Sequence, residues 1–245
     1  MKIKAFYLSA VAAIVTGLVS CDNAELKYDD VTGPGRLFLN EAVGTAKSVS
    51  FVIPDDVTEL PMKSLYSKSY LTELVIPASI RTIGTNAVQS CSDLTKITFI
   101  DAGPDAPLIN LGDEVFTSCS ALTEITLPSN IKGITAEMLD GCRSLEKINV
   151  SEDSPYYVTK DGVLCEIDQV TKQPNKLVYF PKGRGGEYTI PVGITTIGAS
   201  AFKDCENLTK VIIPGYVTLI EQEAFYSCGD LASIEFTGRT TDGDL

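Results

Sequence analysis

Apolar residues recur along this chain with a period of 23, longer than the spacing within any one helix or strand. The anchoring leucines Leu71 and Leu94 are 23 apart, as are Leu122 and Leu145, and Leu208 and Leu231. Each anchor is followed three and five places on by apolar residues, as in Leu71/Leu74/Ile76, Leu122/Ile125/Leu127 and Leu208/Val211/Ile213. Ahead of the anchors lie the pairs Ile80/Ile83, Leu108/Leu111, Ile131/Ile134, Ile194/Ile197 and Val217/Ile220, with a worn copy at Val57/Leu60. Between pair and anchor sits a third block: Ala87-Val88-x-x-Cys91, Val115-Phe116-x-x-Cys119, Met138-Leu139-x-x-Cys142, Ala201-Phe202-x-x-Cys205 and Ala224-Phe225-x-x-Cys228. A unit this small cannot bury its own apolar face, so stacked copies must share one continuous core. The Ile-x-Ile-Pro stretch predicts a short parallel strand, ended by Pro54, Pro77, Pro128, Pro191 and Pro214. The Ala-Phe-x-x-Cys stretch, with Phe and Cys three apart, predicts one helical turn with both side chains inward.

Two interruptions break the period. Leu94 to Leu122 is longer by five residues around Gly103–Pro107. Leu145 to Leu208 leaves one coil lengthened by about 17 residues, with Gly185 where an anchor leucine belongs. In that insert, Tyr156–Cys165 carries Asp161-Gly162 between two strand-like runs, which predicts a β-hairpin. Lys176–Pro181 offers a further strand. The insert either widens one turn or forms a protruding edge bearing aromatic residues.

The consensus Leu-x-x-Ile-x-Ile-Pro-x-x-Val-x-x-Ile-Gly-x-x-Ala-Phe-x-x-Cys-x-x-Leu resembles the BspA-type leucine-rich repeat over roughly residues 48–237. It departs from the pattern at Lys68, where Cys is expected, and at Met138-Leu139, where Ala-Phe is expected. The Tyr…Asp-Gly-Val-Leu…Tyr-x-Pro insert is part of the same resemblance. The fold expected is an α/β repeat solenoid: leucine-rich-repeat coils with short parallel strands, short helical or 3-10 turns and an inserted β-hairpin at about 151–185. The resemblance implies a surface protein that adheres to host matrix proteins or to other bacterial surface proteins, and no enzyme.

Lys2 and Lys4 open the chain, and an apolar run from Ala5 to Ser20 follows. Its length and flanks suit a secretion signal over residues 1–20 and are short for a membrane span. Leu18-Val19-Ser20-Cys21 resembles a bacterial lipobox. That resemblance implies acylation of Cys21 after cleavage, a membrane partner held through lipid, and an exported, outer-membrane-anchored, surface-exposed protein. Residues 21–47 read as a tether and N-terminal cap, with a strand expected at Arg36–Asn40. Residues 238–245 read as a polar tail, a poor lid for an open strand edge.

Composition narrows the chemistry. The chain has 245 residues, a net charge of −12, no His and no Trp. Without His it lacks the commonest general base and the usual neutral metal ligand. The acidic balance and the lack of a basic stripe argue against nucleic acid. No Gly-rich phosphate loop, nucleophile elbow or metal-ligand spacing is found, so no catalytic residue, metal or cofactor is expected.

Cys91, Cys119, Cys142, Cys205 and Cys228 share one repeat position and read as an inward-facing structural ladder of free thiols. Glu73, Lys96, Glu124 and Lys147, two places after their anchors, alternate in charge up the stack. One place after the anchors, Thr72, Thr95, Thr123 and Thr209 form a row able to hydrogen-bond a peptide or glycan. Tyr156, Tyr157 and Tyr179 complete the candidate binding surface. Together with Tyr188 they would replace the missing Trp in an alternative reading, a glycan-binding accessory lipoprotein in polysaccharide capture.

Overall fold

Repeats that must share a core have to lie in register, and they do. The computed structural model describes residues 49–238. The lipobox with Cys21, the tether, the strand expected at Arg36–Asn40 and the tail beyond Gly238 lie outside the described residues. The strands run β1 (Val49–Val52), β2 (Glu59–Leu60), β3 (Leu71–Ile76), β4 (Thr82–Ile83), β5 (Lys96–Phe99), β6 (Asn110–Leu111), β7 (Glu124–Leu127) and β8 (Lys147–Val150). They continue as β9 (Tyr157–Lys160), β10 (Val163–Ile167), β11 (Pro174–Tyr179), β12 (Gly186–Thr189), β13 (Thr196–Ile197), β14 (Leu208–Pro214), β15 (Leu219–Ile220) and β16 (Ser233–Thr237). The chain winds as a β-solenoid. Its first side is a parallel sheet in the order β1-β3-β5-β7-β8, resumed after the insert as β12-β14-β16. Register places Leu74 beside Ile97, Ile97 beside Ile125 and Ile125 beside Ile148, and later Val211 beside Ile234. Inward residues alternate with outward ones, as in β3 and β7.

The turn side differs from expectation. Of the predicted helical turns only one 3-10 turn forms, Ala136–Leu139. In the other copies two residues per turn adopt left-handed backbone: Asn86 and Ser90 (φ 58° and 61°), Glu114 and Ser118 (53° and 62°), Ser200 and Asp204 (55° and 56°). A left-handed residue every fourth position cannot propagate a helix. The alternate N–H groups are spent between coils instead: Val88 on Val115 O, Ser90 on Thr117 O, Phe202 on Ala224 O. Phe116 and Cys119 still point inward, both buried.

The five-residue insertion leaves the coil as a loop over 100–108, pinned where Asp101 Oδ1 accepts from the Ser129 hydroxyl (2.7 Å) and N–H (3.1 Å). The loop shifts the core position by one residue. Ile109 is buried and bridges Ile131, while Leu108, expected inside, is exposed.

The long insert is neither a plain widened turn nor a protruding edge. Asp161-Gly162, both at positive φ, closes the β9–β10 hairpin. β10 then pairs antiparallel with β11, which rejoins the second side of the solenoid beside β13. Val163, Leu164 and Cys165 are all buried, as are Leu177, Val178 and Tyr179. These strands are therefore covered on both faces. Leu164, Val178 and Tyr179 join the core of the first coils; Val163, Cys165, Leu177 and Phe180 join that of the last ones. The insert is a wall between two stacked cores.

Candidate functional site

The outward side of the β1-β3-β5-β7-β8 sheet carries the rows that the repeat writes in register. Glu73, Lys96, Glu124 and Lys147 stand directly opposite one another on successive strands. Lys147 bridges Glu124 at 3.0 Å and Lys96 approaches it at 3.8 Å. The Lys147 contact, aided by Asn149, holds the Glu124 carboxyl below the usual range. Beyond the solenoid wall the alternation resumes with Glu187 opposite Lys210, and Lys210 binds Glu235 at 2.8 Å. Such exposed pairs are screened by solvent and contribute little stability, but opposite charges directly across the strands favour one register. A second outward row, Val75, Thr98, Thr126 and Asn149, is half-buried, with rungs about 4.8 Å apart.

The threonine row edges this sheet. Thr95 and Thr123 donate their hydroxyls to the main-chain carbonyls of Thr72 and Thr95, both at 3.0 Å. Their oxygens keep acceptor capacity, but their protons are committed to neighbouring coils. Thr209 is exposed on the far side of the wall and is not continuous with the other three. A second threonine row, missed in the sequence, runs along the other side of the solenoid: Thr195 donates to Asn175 O and Thr218 to Thr195 O. The signal was present as a Thr two places before Ile197 and Ile220.

The tyrosines require correction. Tyr157 is 3% exposed and Tyr179 fully buried, so neither belongs to a binding surface. Tyr157 Oη accepts the Ile134 N–H at 2.9 Å, and the Tyr179 hydroxyl donates to Leu139 O at 3.4 Å. Burial pushes both phenols up. Tyr188 is likewise buried, packed edge-on against Phe180 and tilted against Phe202, with the Arg184 guanidinium 5.9 Å from its ring centre. Tyr156 alone keeps partial exposure, with the Lys132 ammonium 5.4 Å above its ring. Aromatics that seemed to advertise an edge are consumed in building the wall.

The cysteines fall where the repeat puts them. Each thiol donates to a carbonyl of the preceding coil: Cys91 to Leu65 O (3.1 Å), Cys119 to Val88 O (3.2 Å), Cys142 to Phe116 O (3.2 Å) and Cys228 to Phe202 O (3.0 Å). Cys205 lies farther from Phe180 O, at 3.9 Å. All are free. Burial pushes Cys142 and Cys165 up to about 12, so neither is a nucleophile at neutral pH. Cys228, at the end of the stack, is partly exposed. Among the described residues no three ligating side chains gather to hold a metal ion.

Sequence reasoning also missed an ion cluster at the wall. Lys182, almost wholly buried, lies 2.6 Å from Asp140 and 3.6 Å from Asp204, while Lys203 meets the other Asp140 oxygen at 3.0 Å. Burial raises the Asp140 pKa, but hydrogen bonds from Lys182 and Lys203 outweigh it and hold the carboxyl at about 2. Asp140 and Lys203 share one repeat phase, but Lys182 between them belongs to the insert, where spacing gave no hint of their meeting.

A family profile agrees with this architecture. The sequence profile of the BspA type leucine rich repeat region matches residues 42–158 and 182–243 in six copies. The gap between the two segments falls within the wall. No curated protein matches the sequence. Similar solved structures include a leucine rich cell surface protein from Faecalibacterium prausnitzii, at 21% identity over 76% of this chain and 68% of that one, TM-score 0.43. The pneumococcal vaccine antigen PcpA is 18% identical over 80% of this chain and 62% of its own, TM-score 0.49. A leucine-rich repeat protein from Eubacterium ventriosum is 21% identical over 76% and 59%, TM-score 0.49. The chain thus spans under two thirds of the latter two.

Proposed function

Because this chain belongs to the BspA-type leucine-rich repeat family, we propose that it is an exported lipoprotein, anchored through Cys21 to the outer membrane and displayed at the surface, whose solenoid binds a protein partner from host matrix or another bacterium. The observation that carries the binding reading is the outward side of the β1-to-β8 sheet. It is one parallel sheet, fixed by main-chain hydrogen bonds and patterned in register by Glu73, Lys96, Glu124 and Lys147 with Thr98 and Thr126 between. A rigid surface of this kind binds without paying much ordering entropy. Its charges neutralise one another, which favours a partner of mixed polarity over a highly charged polymer. The anchoring part rests on the lipobox residues Leu18–Cys21. A glycan ligand loses its main support with the burial of Tyr157, Tyr179 and Tyr188.

The test is a panel of immobilised matrix and bacterial surface proteins, beside a glycan array, probed with the chain from Asp22 onwards. A protein should be retained, and Thr98→Arg with Thr126→Arg should weaken it at least tenfold at unchanged melting temperature. Thr195→Arg with Thr218→Arg, on the other side, should leave it unchanged. Glycan binding abolished by Tyr156→Ala would favour the alternative. Labelled palmitate should enter the wild-type chain and not Cys21→Ala; labelling of the variant would refute the anchor.

A further inference from the structure

Away from the sheet face, at the outer end of the wall, the turn that joins β10 to β11 and the turn that leads into β13 enclose a cleft of about 630 Å³. That volume lies within the range of ligand sites. Lys160, Gln173, Asn175 and Val192 line it. Two apolar side chains with no packing role stand here. Val170 is 90% exposed and Val192 78%, more than any other large apolar residue among those described. Val192 lines the cleft, and Val170 stands at its rim between the lining residues Asp168 and Thr171. Exposed apolar residues scattered singly need no explanation, but here the two extremes share one concavity. Most of the lining falls between the two segments matched by the repeat profile, so the cleft belongs to the insert and not to every coil.

Both rims are held by hydrogen bonds. Asp168 Oδ1 accepts from the Val170 N–H (3.1 Å), the Thr171 N–H (2.7 Å) and the Thr171 hydroxyl (2.9 Å). Across the cleft, Lys160 Nζ donates to Val192 O at 3.0 Å, and the Thr195 N–H donates to Asn175 O at 2.8 Å. The valines are thus presented with little further ordering cost. Lys160 spends one of its three N–H donors on that carbonyl, and Lys172, beside the rim, reaches the Gln169 amide oxygen at 3.3 Å. Neither ammonium has a carboxylate partner among the described residues, unlike Lys176 on β11, which meets Glu221 at 2.8 Å. On a chain of net charge −12, two such groups at one cleft favour an anionic ligand. The side-chain amides of Gln173 and Asn175 offer donors and acceptors to a main chain. No lining residue is aromatic, so a sugar ring finds no face to stack on.

We infer that this cleft docks an acidic, extended segment of a partner protein. One apolar side chain of the segment lies between Val170 and Val192, an Asp or Glu beside it meets Lys160, and its main chain bonds the amides of Gln173 and Asn175. The site lies on the other side of the solenoid from the β1-to-β8 sheet face and stands or falls independently of it.

The probes are a short synthetic peptide with a central Leu flanked by Asp and Glu, a twin carrying Lys at each acidic position, and an oligomer of galacturonate. Each is titrated into the isotope-labelled chain from Asp22 onwards, which keeps every described residue, and the shifts of main-chain amide resonances report both place and affinity. The acidic peptide should move the amides of Val170, Gln173 and Val192. It should bind at least tenfold tighter than its twin at low salt, with the preference shrinking as salt rises. Val170→Ser with Val192→Ser, both exposed, should abolish binding at unchanged melting temperature. Lys160→Gln with Lys172→Gln should remove the preference for the acidic peptide. Thr98→Arg with Thr126→Arg should leave the affinity unchanged. Equal binding of the two peptides, binding of neither, binding untouched by the valine substitutions, or binding lost with the threonine substitutions would overturn the proposal. So would shifts of these amides by galacturonate and not by peptide, which would assign the cleft to an acidic glycan.

Discussion

Asp140 shows how much one residue decides at the wall. Its two lysine partners sit 2.6 and 3.0 Å away, and Lys182 has almost no water to turn to. Asp140→Asn should therefore destabilise the fold by about 3 kcal/mol at neutral pH, at the low end of the range for breaking a buried pair because Asp204 remains near. The native carboxyl titrates at about 2, below its ordinary value of 3.8. Its contribution is thus fully present above pH 3.8 and is lost as pH falls toward 2. Urea titrations from pH 5 to pH 2 should show wild type losing this increment and Asp140→Asn lacking it. The thiols offer a second check at this scale. In the chain from Asp22 onwards, a thiol reagent under native conditions should modify Cys228 quickly and the five buried cysteines only after unfolding. Rapid reaction of two or more would contradict the inward ladder. The ladder position was legible, since five cysteines share one phase. The ion cluster was not: Asp140 and Lys203 share one phase, two places before Cys142 and Cys205, but Lys182, which joins them, lies in the insert where the spacing breaks.

At the scale of the element, the turn side shows where periodicity misleads. A Phe and Cys three apart fit a helical turn, and the same spacing also fits two tight turns joined by left-handed residues. Local propensity barely separates the two, and the neighbouring coil decides by offering carbonyls to the alternate N–H groups. Close stacking there also fixes glycine. A Cβ on Gly112 would lie 2.3 Å from the Thr85 nitrogen, and one on Gly84 2.5 Å from that of Met62. Gly112→Ala should cost about 2–3 kcal/mol in thermal or urea unfolding, because main chain and not a yielding side chain is in the way. The insert teaches the converse. Its hairpin was readable from Asp161-Gly162, but a run such as Val163-Leu164-Cys165, apolar without alternation, signals a strand buried on both faces. That signal places Tyr157 and Tyr179 inside. Tyr179→Ala should lower stability by about 4 kcal/mol, as expected for an aromatic removed from a filled core, and should leave partner binding by the folded protein intact.

For the whole molecule, the wall divides the coils into a larger stack before it and a smaller one after it, each with its own core. Repeat stability is a sum of coils and their interfaces, so the smaller stack should yield first. Hydrogen exchange followed by mass spectrometry should find the amides of β14 and β16 exchanging faster than those of β3, β5 and β7. Uniform protection would argue that the wall couples the stacks into a single unit. The repeating solenoid, the inward cysteines, the alternating Glu and Lys rungs and the hairpin turn were all determined by the sequence alone, because stacking turns a fixed spacing along the chain into neighbourhood in space. Which tyrosines meet solvent, how the turn side hydrogen-bonds and where Lys182 finds its carboxylates were decided only by the tertiary structure. The tyrosines and Lys182 depend on contacts where the period breaks, where spacing no longer says which residues become neighbours; the turn side depends on carbonyls offered by the adjacent coil, which spacing within one coil does not show.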